Sequence, residues 1–413
     1  MRTLLCAALL FAGAPALAAD VLIKNAKIHT AGPAGTIASG SVLVRDGRIA
    51  AVGGAVAAPK GAQVIDGTGL VVTPGVFAAY TQLGLREIDG IDETADDASK
   101  DKRFSASLDV VDGLNPRAAI IAIDRAEGVT RAVAAPQTDH DALLAGLGAV
   151  VNLGSIDRFV MRPRAAMYLT AGEGGAQLIG GSRPASYAWL REAFEEVRNP
   201  KLWQGRPSRE PLLSPLEAEA LKPVLAGQVP LVAQADRASD LRTLMKLASD
   251  YRLRLVIQGG AEAHLVAREL AQRGIPVVLD PSLTLPQRFE SLATVEDNAA
   301  RLQRAGVVTA FMSDDMASQD ARNLRQLAGI AVQRGMPWDA ALASITINPA
   351  KIFGVDREVG SIVVGKAADL VVWDGDPFEL RTWPRHVFID GRAVPAETRQ
   401  TKLRDRYLKR LQP

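Results

Sequence analysis

Between residues 76 and 350, short apolar runs alternate with amphipathic stretches. No other feature limits the architecture of this chain as strongly. The apolar runs are 130–135 (TRAVAA), 149–153 (AVVNL), 230–235 (PLVAQA), 254–259 (RLVIQG), 276–279 (PVVL) and 307–312 (VVTAFM). Each has the length and β-branched content of a buried strand. Between them, 238–251 (ASDLRTLMKLASDY) and 262–273 (EAHLVARELAQR) place apolar residues at helical spacing. Alternation of this kind builds parallel βα units, and about 275 residues of it suit an eight-fold βα barrel. A doubly wound open sheet is the alternative. No GxGxxG follows a strand and no GxxxxGK[ST] occurs, so a nucleotide-binding version of either fold lacks support.

The barrel-like stretch is bracketed by two β-rich flanks. Residues 41–51 (SVLVRDGRIAA) are two strand-like runs around Asp46-Gly47, a pair that tolerates the positive φ of a tight hairpin. A further run, 63–73 (QVIDGTGLVVT), ends at Pro74-Gly75. The second flank has the same texture at 361–364, 368–373 and 386–394, with its own turn at Asp390-Gly391. The two flanks are expected to pair into one small β-domain built from both ends of the chain.

The opening residues have the pattern of an export leader. Arg2 precedes the apolar run 4–12, and Ala16-Leu17-Ala18 fits a small-x-small cleavage site. The expected organisation is a signal peptide (1–18), a first β segment (19–75), the barrel (76–350), a second β segment (351–395) and a basic C-terminal helix (396–413). That helix is read as a solvated terminus; a membrane surface or a partner is the other use of a basic amphipathic face. Removal of Cys6 with the leader leaves no cysteine, so no disulfide, thiolate nucleophile or cysteine metal site is expected. No later stretch is long and apolar enough to span a bilayer, which implies a soluble periplasmic or secreted protein. The net charge of +2 falls to +1 without Arg2 and excludes a dedicated nucleic-acid binder, which needs a dense basic face.

Several segments resemble the amidohydrolase superfamily, in particular its imidazolonepropionase-like branch. Residues 72–83 (VTPGVFAAYTQL) resemble the PGxxDxHxHL signature on the first barrel strand. Residues 348–377 (NPAKIFGVDREVGSIVVGKAADLVVWDGDP) resemble the passage from the last barrel helix back into the β-domain, and 307–315 (VVTAFMSDD) the eighth strand. Residues 134–153 and 237–241 resemble further pieces of that branch. The resemblance implies a (β/α)8 TIM-type barrel with a small β-sandwich domain made by both flanks, in agreement with the pattern. It also implies one or two divalent cations at the barrel mouth. The usual ligands are His-x-His on strand one, a carbamylated Lys on strand four, one His each on strands five and six, and an Asp on strand eight that is also the general base.

This chain departs from that ligand set almost throughout. Tyr80 and Gln82 stand at the His-x-His positions, with Ala78 at the preceding Asp. Gln234 and Asp236 flank the strand-five position, and Gly259 stands at strand six. Tyr168 or Asn152 falls near strand four, and neither can be carbamylated. Asp314, followed by Asp315, keeps the strand-eight carboxylate. The four histidines, His29, His140, His264 and His386, lie away from these positions. Asp236 and Asp314 with Gln82 and Gln234 make at most an oxygen-only set, better suited to Mg²⁺ or Ca²⁺ than to zinc; the plainer reading is a pocket of polar groups bonded to each other and water.

The expectation is therefore an exported pseudo-hydrolase without a metal cofactor, where intact family members hold zinc or another divalent cation. Tyr80, Gln82, Gln234 and Asp236 are the candidate ligand-binding residues and Asp314 the candidate catalytic one. Its partner is a small molecule, a second copy or an active paralogue. The alternative is an active hydrolase of C–N bonds, in cyclic amides or small peptides, centred on Asp314.

Overall fold

The computed structural model describes residues 20–88, 90–139, 141–202, 211–313 and 318–411. Five strands open it: β1 (Val21–His29), β2 (Thr36–Arg45), β3 (Arg48–Gly53), β4 (Gln63–Asp66) and β5 (Val71–Pro74). The barrel strands follow as β6 (Val76–Thr81), β7 (Val129–Ala134), β8 (Leu144–Asn152), β9 (Val160–Thr170), β10 (Leu231–Ala235), β11 (Leu255–Gly259), β12 (Val277–Leu279) and β13 (Thr309–Phe311). The chain closes on β14 (Leu370–Trp373), β15 (Pro384–Ile389) and β16 (Arg392–Ala393). Three helices matter below: α1 (Ala119–Ala126), α2 (Gly172–Leu178) and α3 (Arg183–Arg198).

Both flanks share one eight-stranded sheet, ordered β16-β15-β14-β5-β1-β2-β3 with β4 also on β1. The N- and C-terminal halves join where β5 and β14 pair antiparallel, Val72 opposite Val372. Val21, Ile23, Ile28, Val42, Val44, Val72, Leu370, Val372 and Phe388 form its core. The two Asp-Gly turns meet. Asp46 and Asp390 have φ near +50° and the following glycines have positive φ, and a Cβ on Gly391 would lie 2.7 Å from Gly47 Cα. Glycine is thus needed at 391 both for its dihedral and for the close approach of the two turns. Through that contact and the bonds Ile49 N–H to Lys366 O and Gly365 N–H to Ile49 O, the sheet folds back on itself.

The second eight-stranded sheet runs β13-β12-β11-β10-β9-β8-β7-β6, and its end strands β13 and β6 are in contact. It is a nearly closed barrel, as the strand–helix alternation implies. Its strands are apolar on both faces, as expected for strands between a barrel interior and an outer helical layer. One strand departs from the all-parallel pattern: β8 is antiparallel to both β7 and β9. The connections before and after it, residues 135–143 and 153–159, are shorter than the dozen or so residues that a parallel crossover needs. Strands β6 and β9 to β13 point their C-terminal ends the same way, and this end of the barrel holds the site.

Candidate functional site

A cavity of about 530 Å³ opens at the C-terminal ends of the barrel strands, where barrel proteins keep their binding residues. Tyr80 enters it from β6, Tyr168 and Thr170 from β9, Gln234 from β10, Gln258 from β11, and Ser313 from just beyond β13. Strand register fixes these positions: Gln234 lies opposite Gln258 on one side and Thr170 on the other, with Tyr168 opposite Val232. Residues two apart on a strand face the same way, so Tyr168 and Thr170 line the cavity together. The Thr170 and Thr138 hydroxyls are bonded at 2.7 Å, which ties the loop after β7 to the end of β9. The rings of Tyr80 and Tyr168 pack at 5.9 Å between centroids.

The lining is polar and mostly neutral. Tyr168 is 3% exposed, and its hydroxyl has no hydrogen-bond partner among the described residues. Burial pushes that phenol well above its ordinary pKa, so it stays a neutral O–H. Gln82, just past the end of β6, is 2% exposed, and its Nε2 is likewise without a partner. A buried donor without an acceptor is costly. Two such donors lie near this mouth.

Asp236 lies on the loop leaving β10, beside Gly259. Its Oδ1 accepts the Ala261 N–H at 3.0 Å. Burial raises the Asp236 carboxyl above its ordinary value, against the Ala261 N–H and the positive charge of Arg288, which favour ionisation. Arg237 is exposed and is not the cation that faces this carboxylate. Gly259 has φ +86°, and a Cβ there would sit 2.7 Å from Asp236 Oδ1. A side chain at this position would meet the Asp236 carboxylate, which occupies the space beside the glycine, and would be strained by the positive φ.

Of the candidate residues named from the sequence, Tyr80 and Gln234 line the cavity. Gln234, Asp236 and Gly259 border a smaller cleft beside it, and Gln82 is buried behind Tyr80's strand end. Asp314 and His140 lie outside the described residues. His29 belongs to the β-domain, where it stacks on Trp338 and its Nδ1 bonds the Thr36 hydroxyl at 2.9 Å. His264 sits in a short helical turn after β11.

Gln258, Glu173 and Arg288 are among the lining residues that the sequence reading did not name. Gln258 is one position before Gly259, so an alignment anchored on Gly259 passes over it. Glu173 on α2 and Arg288 on the loop after β12 carry no sequence signal, because only tertiary packing brings them to the mouth. Among the described residues, no group of three or more His, Cys, Asp and Glu is placed to hold a metal ion. The residues present do not fit the imidazole-rich centre that the resemblance implies.

The amidohydrolase family model matches residues 234–394, from the end of β10 through the rest of the barrel to β16 of the β-domain. A solved structure of an amidohydrolase from Thermotoga maritima superposes with a TM-score of 0.80 at 29% identity, over 91% of this chain and 99% of that one. The chain belongs to the amidohydrolase superfamily. Among curated relatives, amidohydrolase tasK of Hapsidospora irregularis is 27% identical over 393 residues, 86% of this chain and 40% of the relative. The imidazolonepropionase of Geobacillus sp. (strain WCH70) is 36% identical over 109 residues, 26% of this chain and 24% of that protein. The match spans less than half of either relative. Superfamily membership fixes the scaffold, and the chemistry must still be argued from the mouth itself.

Proposed function

We propose that this protein is an exported amidohydrolase-superfamily member whose barrel mouth binds a small polar molecule through neutral donors and acceptors. It acts as a binding protein or beside an active paralogue. The observation that carries the reading is Tyr168, whose side chain lines the cavity and whose buried hydroxyl has no partner among the described residues. Tyr80, Gln82 and Gln234 supply hydroxyl and amide groups where a working centre of this family would have imidazoles. Groups of this kind recognise a ligand by hydrogen bonds but give a divalent cation too few strong donors. Export rests on the leader pattern at residues 1–18.

A second reading keeps hydrolysis of C–N bonds, with Asp314 as the general base. The whole-chain likeness to the Thermotoga amidohydrolase supports it.

Metal analysis of the purified mature protein separates the two. The first reading expects well under one equivalent of zinc, manganese or iron per chain and an unchanged melting curve in millimolar Zn²⁺. A specifically bound ion at 100 times its Kd would add about 2.7 kcal/mol to stability. Stoichiometric metal that survives dialysis overturns the first reading. So does turnover of cyclic amides or dipeptides that Asp314→Asn abolishes, since that pattern requires a working base.

A further inference from the structure

Among the described residues that line the main cavity two are charged, Glu173 and Arg288, and their charges are opposite; Asp236 borders the smaller cleft that Arg288 also lines. Neither side chain has an ion-pair or hydrogen-bond partner among the described residues. They also do not pair with each other. Glu290 determines how they are presented. It is 3% exposed and lies two positions beyond Arg288. Its Oε2 accepts the backbone N–H of Glu173 at 2.6 Å and the Arg183 Nη2–H at 3.0 Å. Arg183 is in turn held by Asp240, Nε to Oδ2 at 2.7 Å. The loop that carries Arg288 is therefore fastened to the first turn of α2, which carries Glu173, by a buried network that takes up neither of the two lining side chains. The mouth presents an acid and a base in the same cavity as Tyr168, Thr170, Gln234 and Gln258.

We infer that the mouth takes an α-amino acid, with its carboxylate on Arg288, its ammonium on Glu173 and a polar, uncharged side chain directed toward Tyr168 and the two glutamines. An α-amino acid carries both charges on one carbon, so it suits an acid and a base that line one cavity and whose segments are fastened together through Glu290. A simple anion or cation would satisfy one and leave the other bare. Arg supplies a planar fork for the carboxylate. The buried Tyr168 donor and the two amides suit a carboxamide or hydroxyl better than an aliphatic or charged side chain. This inference rests on the reading of the mouth as a ligand site rather than a metal centre.

The test is calorimetry and thermal shift on the mature protein with L-glutamine as first probe, then with the other common amino acids at millimolar concentration. The best binder is compared with its N-acetyl form, which lacks the ammonium, and its carboxamide, which lacks the carboxylate. Each blocked form should bind at least about tenfold more weakly, the range of a lost charge-assisted hydrogen bond. Arg288→Gln should erase the preference over the carboxamide alone, and Glu173→Gln the preference over the N-acetyl form alone. A general loss of fold would not produce that crossed pattern. Failure of every amino acid to bind, equal binding of the blocked forms, or preferences that survive both substitutions overturns the inference. Metal content is measured on the same protein without amino acid, so failure of the underlying reading registers separately.

Discussion

Two buried polar clusters sit at different levels of the barrel and are completed differently. Near the start of the barrel strands, Arg131 of β7 is 2% exposed and joins the barrel to the β-domain. Its guanidinium donates to both oxygens of Asp369, at 2.7 and 3.0 Å, and to Asp390 at 2.6 Å. Asn152 donates to the other Asp390 oxygen at 2.8 Å. Burial pushes Asp369 up in spite of Arg131. For Asp390 burial pulls upward too, but Arg131, Asn152 and Arg158 outweigh it and hold the carboxyl below its ordinary value. This cluster is closed by the chain's own groups, with one Arg131 nitrogen, Nη1, left over. At the mouth, the buried Tyr168 and Gln82 donors have no acceptor among the described residues, and Glu173 and Arg288 form no ion pair with a described residue, although the Arg288 charge acts on Asp236. The contrast follows the division of labour in barrels, with stability at one end of the strands and binding at the other.

The largest effect should come from breaking the closed cluster. Arg131→Met leaves Asp369 buried without its cation and should cost about 3–5 kcal/mol in urea unfolding. The double variant Arg131→Met/Asp369→Leu should cost less than the single one, because it removes the stranded charge along with its partner. A loss below about 1 kcal/mol for Arg131→Met would show that the two domains are held together chiefly by apolar packing, and the contrast between the clusters would lose one side.

Asp124 asks whether every unfinished buried group marks a site. It lies on α1, is fully buried and accepts the Arg322 N–H at 3.1 Å, while its Oδ2 has no partner. Burial raises its pKa well above the ordinary value, with Asp320 and Glu127 adding to the rise against the Arg322 charge and N–H. A carboxyl with a raised folded-state pKa contributes most stability when protonated, and loses that contribution as pH rises from the unfolded value of about 4 through the folded one. Asp124→Asn should therefore be more stable than the wild type at neutral pH, by on the order of 1 kcal/mol. The advantage should vanish as pH falls toward 4. A variant less stable at neutral pH would mean that the ionised carboxylate has a use, and unfinished groups would then mark sites beyond the mouth as well.

Much of the scaffold is legible in the sequence because local chemistry decides it. The runs at 230–235, 254–259 and 276–279 overlap β10, β11 and β12, and the helix at 238–251 has the bounds observed. The Asp-Gly turns are legible because few other pairs tolerate their dihedrals. Strand β9 is not legible, since its first half reads VMRPR, with a proline and two charges. The antiparallel course of β8 was available in principle from the short connections on either side, but the strand–helix pattern elsewhere argued for a parallel strand. The continuous helix expected at 262–273 is instead a 3-10 turn, Ala263–Val266, followed by α-helix over Ala267–Gln272. At the mouth, Tyr80 and Gln234 were legible through the resemblance, which aligns them with ligand positions on the family's first and fifth strands. Glu173 and Arg288 come from a short helix and a loop, and their meeting depends on buried Glu290, whose role no local pattern announces.

The smallest effect on stability, and the sharpest on function, is expected at Tyr168. The variant Tyr168→Phe keeps the ring against Tyr80 and removes only the hydroxyl, which has no protein partner to lose. Removing an unsatisfied buried polar group is neutral or favourable, so the free protein should unfold within about 1 kcal/mol of the wild type, on the stable side. The same oxygen should matter once a ligand supplies its acceptor, and affinity for the best-binding amino acid should fall by about three- to tenfold, the worth of one neutral hydrogen bond. At Arg131 the two readouts coincide, since a group closed within the fold is felt in folding. At Tyr168 they should separate. Unchanged affinity in Tyr168→Phe would show that the hydroxyl faces water rather than ligand, and a clear loss of stability would show that the free protein already satisfies it. Either result would put the mouth in the same class as the Arg131 cluster and remove the distinction on which its reading as a binding site depends.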